Sequence, residues 1–437
     1  MITKSRIKIF TILLVFLFAS AEISPAQTAK TRMPRQEKLL NGMKLLVWDD
    51  SQAPKVSVKL RVHSGAAFDT LGKEGTMAML ADILFPTSAA KEFFTEDLGG
   101  SLDVASNYDF IQITATANND QFLTMLETLA NAVTDAQTDR ETTAKVRAAH
   151  LEKIRELEKN PAYVADQAVA RRLFGDFPYG RPQLGTSESV AKIDFADLTL
   201  ARQRFLTADN ATLAVVGNVK PDLVYRAARR FFGAWTQSDK KIPATFRQPD
   251  APDSKTLTIE VPNLEKSYNR TAINAVARND KDFYATEIVS KIRQNQLCYT
   301  DESKRGELKY EPYLLRGVYV IRRNESYANK IEELPIDGRN PCSFLFVKND
   351  KFIYPAILQN DFDTAKAKAI AEMQEKIQSN PADLWLDVET FKLVSVKDEM
   401  SKLNNVTLAD VQRVAEDLQK QPIANVVVKK PETIKSN

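Results

Sequence analysis

The sequence predicts an α+β protein built from two tandem, related α/β domains, each a mainly antiparallel sheet with helices packed on one face. Three observations carry this expectation. The first is an internal repeat. Ile193-Asp-Phe-Ala-Asp-Leu198 opens a helical pattern leading into Ala211-Thr-Leu-Ala-Val-Val216, and Val406-Thr-Leu-Ala-Asp-Val411 leads into Ala424-Asn-Val-Val-Val428. The offset is 213 residues both from Asp197 to Asp410 and from Ala211 to Ala424, and a shared spacing of this kind marks a duplicated unit. The second is that strand-like and helical segments occur in blocks within each half, as α+β layers require. The third is an ordinary globular composition: 437 residues, 43% hydrophobic and 27% charged, which is enough for two cores.

The elements follow in chain order. Lys4, Arg6 and Lys8 precede the apolar run Ile9–Phe18, and small residues follow at Ala19, Ser20, Ala21, Ser24 and Ala26. Such a segment reads as a secretory signal peptide over 1–26, with cleavage after Ala26 favoured and Ala21 second. The apolar run is shorter than the ~20 residues a span needs, so the mature chain is expected to lack a membrane span. The expected localisation is export, to a bacterial periplasm. Residues 27–36 form an N-terminal extension, and the first domain covers 37–236. Within it, alternation predicts strands at Met43–Trp48, Val56–Val62 and Phe110–Ala117. Helical periodicity covers Gln121–Val133, Arg140–Glu158 and Ala162–Phe174. The stretch 237–254, rich in Pro, Ser and Asp, reads as a linker. The second domain covers 255–432, with a tail at 433–437. It repeats the mixture: helices at Lys281–Arg293, Asp363–Gln378 and Leu408–Gln419, and strands at Val318–Ile321 and Ser343–Val347. Asp194 and Thr407 take matching N-cap positions at the repeated helix.

Formal net charge is +3, of which the N-terminal Lys4, Arg6, Lys8 and Glu22 supply +2. No uniform basic field remains, so nucleic acid is not an expected partner. The two cysteines, Cys298 and Cys342, either pair across a 44-residue interval or stay as free thiols. A disulfide there would be worth ~3–4 kcal/mol in an oxidising compartment. No phosphate-cradling loop, dinucleotide fingerprint or Ser/His/Asp arrangement is present.

From Glu37 to Lys430 the residues resemble one half of an insulinase/pitrilysin-type metallopeptidase, the group that includes mitochondrial processing peptidase. The resemblance is carried by Leu40-Asn-Gly-Met-Lys-Leu-Leu-Val47, Val62-His-Ser-Gly-Ala66, Gly72-Lys-Glu-Gly75, Leu84-Phe85, Leu98-Gly-Gly-Ser-Leu-Asp103 and Asn160-Pro161. It continues in Phe177-Pro-Tyr-Gly-Arg-Pro182, Leu184-Gly-Thr186, Asp209-Asn-Ala-Thr-Leu-Ala-Val-Val-Gly-Asn218, Phe231-Phe-Gly-Ala-Trp235 and Asn405-Val-Thr-Leu-Ala-Asp-Val411. It implies two similar α/β domains per chain, enzymes that close two such chains around a peptide, and a zinc ion held by an HxxEH helix and a distal Glu. In that motif two His at i and i+4 share a helix face and bind the metal, while the Glu activates a water.

That chemistry is missing here. Gly75 and Leu84-Phe85 fix the alignment, and the first His position is then Ala78, the Glu position Ala81 and the second His position Asp82. The distal Glu position falls on Lys153, with Glu152 one step away and turned by about 100°. Alanine offers no lone pair to a metal and accepts no proton. Independently of any alignment, the chain has only two histidines, His63 and His150, 87 residues apart, so no i, i+4 pair exists. Each reads as a structural or surface His. An oxygen-only cation site from Asp82, Glu74 and Glu152 is the remaining alternative. Active partnerships in this family use an Arg and a Tyr of the C-terminal half to hold the substrate backbone. Arg293 and Tyr299 look like their remnant, at a shortened spacing.

The expectation is therefore an exported, catalytically inactive subunit with no cofactor of its own. It would pair with an active insulinase-like zinc-protease subunit, or with itself, and help enclose a peptide substrate. Zinc is expected only in the partner. The alternatives are a partner-independent structural or peptide-binding scaffold of the cell envelope, and a hydrolase whose site goes unrecognised.

Overall fold

The computed structural model describes residues 33–238, 246–296, 306–324, 346–348, 351–353 and 355–431. Residues 1–26, expected to be a signal peptide, and Cys298, Tyr299, Cys342 and the tail at 433–437 lie outside them.

In the first half the chain runs β1 (Arg35–Lys38), β2 (Lys44–Asp49), β3 (Lys55–Val62), α1 (Thr76–Leu84), α2 (Ala89–Glu96), β4 (Ser101–Ser106) and β5 (Ile111–Asn118). It continues with α3 (Phe122–Thr134), α4 (Arg140–Glu158), α5 (Pro161–Phe174), α6 (Ser187–Ala191), α7 (Phe195–Phe205), β6 (Ala211–Gly217) and α8 (Pro221–Phe232). The second half runs β7 (Leu257–Glu260), β8 (Tyr268–Ala275), α9 (Phe283–Asn295), β9 (Glu307–Glu311), β10 (Gly317–Arg323) and a hairpin of β11 (Phe346–Lys348) and β12 (Lys351–Ile353). Then come α10 (Gln359–Ser379), α11 (Pro381–Thr390), α12 (Val396–Asn405), α13 (Leu408–Gln419) and β13 (Ile423–Lys429).

The sheets are ordered β1-β2-β6-β3-β5-β4 and β7-β13-β8-β10-β9. Apart from the added β1, the two orders are the same once β2, β6, β3, β5 and β4 are matched to β7, β13, β8, β10 and β9. Each contains one parallel pair, β2 with β6 and β7 with β13, and is otherwise antiparallel. The repeated helix is capped alike in both halves. Asp194 and Thr407 each accept a hydrogen bond from the backbone N–H three residues on, and Asp197 and Asp410 reciprocate. The fold is thus α+β, with two tandem domains of the same topology.

Strand alternation decides what each face meets. On β3, Val56, Val58, Leu60 and Val62 are buried against the helices of the first half, roughly 1.5–3 kcal/mol each. Lys59 and Arg61 point the other way, onto α11 of the second half. There Arg61 Nη1 donates to Asp387 Oδ1 at 2.7 Å and Lys59 to Asp383 at 2.6 Å. The exchange is reciprocal: α5 of the first half packs on β8 and β13, where Arg270 and Arg322 of the second sheet pair with its Asp166. Each sheet carries its own helices on one face and a helix of the other half on the opposite face. Both lent helices begin in the same way, at Asn160-Pro161 and Asn380-Pro381. The described residues consequently fall within one compact unit.

Candidate functional site

Helix α1 is placed by its N-terminal loop. Asp69 accepts the backbone N–H groups of Gly75 (2.8 Å) and Met77 (2.9 Å), satisfying donors the first helical turn would leave open. Burial pushes the Asp69 carboxyl up to about 7, against the pull of those two bonds and of Arg181. Gly75 has φ +97°, and a Cβ there would lie 2.5 Å from the Leu184 carbonyl oxygen, so no other residue fits without displacement. Through this contact the segments Gly72–Gly75 and Leu184–Thr186 interlock, and the Leu184 carbonyl reaches α4.

Helix α1 is buried along nearly its whole length, Ala78 and Ala81 included; only Asp82, whose side chain is 42% exposed, opens outward. Helix α4 runs beside it. His150 of α4 is fully buried, with Nδ1 2.7 Å from Asp82 Oδ2 and Nε2 2.8 Å from the Leu184 carbonyl oxygen. The ring is thus held from both sides, by a carboxylate of α1 and by a backbone carbonyl. Lys153 lies on the same face of α4. Glu152 does not: it pairs with Arg155 at 3.2 Å on the exposed side. Between α1, α4 and β4 a cleft of about 340 Å³ opens, with Ala81, Asp82 and His150 at its floor and Leu102 and Val104 of β4 as an apolar wall. Lys91, Lys145 and Lys153 complete its lining.

The donors of this cleft do not fit a zinc ion. Ala78 and Ala81 supply none, Asp82 is bonded to His150, and both His150 nitrogens are engaged. The oxygen-only alternative fares no better. Glu74 accepts from Gly72 N–H, Glu152 pairs outward, and no group of three His, Cys, Asp or Glu suited to a metal occurs among the described residues.

The other singled-out residues lie elsewhere. His63 bridges the halves: its ring nitrogens are 2.9 Å from the hydroxyls of Thr390 on α11 and Thr212 on β6. Burial, with Lys392, Arg61 and Lys44 nearby, holds its pKa well below the ordinary value. Arg293 is buried at the end of α9, where Nη1 donates to Gln296 Oε1 (2.6 Å) and the Pro355 carbonyl (3.0 Å). Any contact with a peptide would require it to leave those acceptors.

A second, larger cleft of about 610 Å³ lies at the repeat-related place in the second half, between α9, α10 and β9. The sequence reading did not foresee it. Lys368, Glu372 and Lys376 line it with the spacing that Lys145, Ala149 and Lys153 have on α4. Its charges are largely matched within the half: Glu372 pairs with Lys291, and Arg278 with Glu399 at 2.7 Å. Glu287 is half-buried there, and the partial loss of water raises its pKa. The available signal was a His placed among the buried positions of α4.

Known proteins place this geometry. Along 399 residues, 86% of this chain and 93% of the relative, it is 22% identical to an uncharacterised zinc protease of Rickettsia bellii. Its fold is similar to that of a protease from Helicobacter pylori (TM-score 0.75, 16% identity, 91% of this chain and 100% of that one). It is also similar to a peptidase M16 inactive domain from Pseudomonas fluorescens (TM-score 0.72, 16% identity, 92% and 99%). Residues 44–187, which include α1 and α4, match the family described as insulinase (peptidase family M16), and residues 192–306 match the peptidase M16 inactive domain. The second match excludes both helices of the first cleft, so its description does not bear on Ala78, Ala81 and Asp82. Two consecutive matches of one family, on a duplicated fold shared over nine-tenths of its length, settle the assignment: this chain belongs to the insulinase family of peptidases, family M16.

Proposed function

We propose that this protein is an exported, non-catalytic member of its family that pairs with a zinc-bearing insulinase-like subunit and helps hold that subunit's peptide substrate. The observation that carries the reading is the α1/α4 junction. Hydrolysis of this type needs a metal to polarise the peptide carbonyl and a carboxylate to take a proton from water. Methyl groups stand at two of the three motif positions, and the third side chain is engaged with His150. Peptide holding is supported by the sheet next to the cleft. β4 ends the first sheet, so an extended chain can add to it as a further strand, with backbone hydrogen bonds supplying affinity. Export rests on the basic and apolar N-terminal segment, and the periplasm on that inference.

The test is co-purification from the native source. A second insulinase-like chain carrying an intact HxxEH helix is the expected companion. A stable monomer without one counts against the pairing, and chelator-sensitive peptide turnover by the purified chain alone overturns the non-catalytic assignment.

A further inference from the structure

We propose that the α1/α4 cleft is a carboxylate clamp, in which Lys145 and Lys153, helped by Lys91, hold the negative end or an acidic side chain of a bound peptide. The inference deepens the peptide-holding reading above and rests on it. Three observations carry it. Lys91, Lys145 and Lys153 line one cleft, and none has an acidic partner among the described residues. The single carboxylate in the lining, Asp82, is hydrogen-bonded to His150 rather than to any of the three lysines, which outnumber it. The cleft therefore holds uncompensated cationic charge, where the family's resemblance implies a metal ion balanced by carboxylates.

The repeat supplies an internal comparison. On α10, Lys368 and Lys376 have the same eight-residue spacing, although they are not the repeat counterparts of Lys145 and Lys153, and Glu372 stands between them and pairs with Lys291. On α4 the intervening position is Ala149, which leaves both space and charge open. Ammonium groups around a pocket repel one another, and an anion placed among them removes that repulsion while accepting charge-assisted hydrogen bonds. A peptide is the ligand class that also satisfies the other wall. A strand added along β4 passes Leu102 and Val104, and its carboxylate then reaches the lysines of the facing helix.

Fluorescence anisotropy with the full mature chain tests this, using one labelled peptide without acidic side chains as its free acid, as its C-terminal amide, and as the amide with one internal glutamate. At low ionic strength the free acid, the glutamate peptide or both should bind about tenfold more tightly than the neutral amide. Preference for the free acid alone identifies the terminal carboxylate; preference for both identifies any carboxylate. K145Q/K153Q should abolish the preference, added salt should weaken it, and K368Q/K376Q, with the same charge loss at the repeat-related cleft, should keep it. Equal binding of all three peptides overturns the clamp and leaves peptide holding standing; no binding of any peptide overturns both. Equal loss in the two double variants also overturns the clamp, because the effect is then one of net charge.

Discussion

The Asp82–His150 pair does structurally what the resemblance assigns to a metal, joining α1 to α4, and its strength is measurable. His150 to Ala removes a buried ring with two hydrogen bonds, one to a carboxylate and one to a carbonyl. At ~1.5–3 kcal/mol for the charge-assisted bond and ~1 kcal/mol for the other, discounted for the water that reaches the cleft, the loss should be about 3 kcal/mol. Asp82 to Ala should cost less, about 1 kcal/mol, because its side chain is 42% exposed and solvent screens the pair. If the two residues act on each other, the double variant loses less than the sum, by a coupling of about 1 kcal/mol. Urea unfolding of the four proteins, each with and without chelator, gives the cycle. Additive single effects, within ~0.3 kcal/mol, would show that the contact ties nothing. A chelator-dependent midpoint for the unaltered chain would show that a metal does the tying instead.

Arg61 to Met should cost about 3 kcal/mol, since it strips a buried guanidinium from Asp387 and Gln112 (both 2.7 Å) and from the Phe110 ring beneath it. Urea unfolding checks the magnitude, and accelerated proteolysis between the halves should accompany it. Asp109 accepts from Tyr179 of the first half and Leu314 of the second, and burial pushes its carboxyl, like that of Asp69, up to about 7. The folded chain thus keeps protons that the unfolded chain releases near pH 4, so this contribution is full below that pH and lost as pH rises through about 7. His63, shifted down, acts oppositely: its contribution is present above about 6.5 and lost as pH falls below it. Asp109 to Asn should therefore flatten the decline in urea midpoint between about pH 5 and 7, by about 1.4 kcal/mol per pH unit at most. An unchanged slope refutes the assignment.

Much of the fold was legible because its signals are local. The capping pairs Asp194/Asp197 and Thr407/Asp410 fix the repeated helix, and Arg140–Glu158 and Leu408–Gln419 match the observed α4 and α13 end for end. The edge strands β4 and β9 escaped, being short and mixed in polarity. The lent helices escaped for another reason: periodicity gives a helix its apolar face but does not say which sheet that face meets. Ala162–Phe174 read as an ordinary helix of its own domain, yet it packs on β8 and β13 of the other. The empty motif positions Ala78 and Ala81 were readable from the alignment alone. The partner of Asp82 was not, because nothing local links residues 82, 150 and 184. Only the close approach of Gly75 to Leu184 brings that carbonyl to His150.

Losing a metal site leaves a fold with two difficulties: polar groups no longer satisfied, and space no longer filled. The first is met here by turning the survivors on one another, Asp82 on His150 and His150 on the Leu184 carbonyl, so that both His150 ring nitrogens have a partner. The second is left open. Ala81 lines the cleft where a larger apolar side chain would gain about 0.8 kcal/mol per buried methylene by closing the gap. A cleft of about 340 Å³ persists instead, rimmed by cations that packing alone would not favour. A scaffold that needs only stability has no use for such a cleft. A subunit that must still accommodate a peptide end does, and this physical difference ranks peptide holding above a purely structural role.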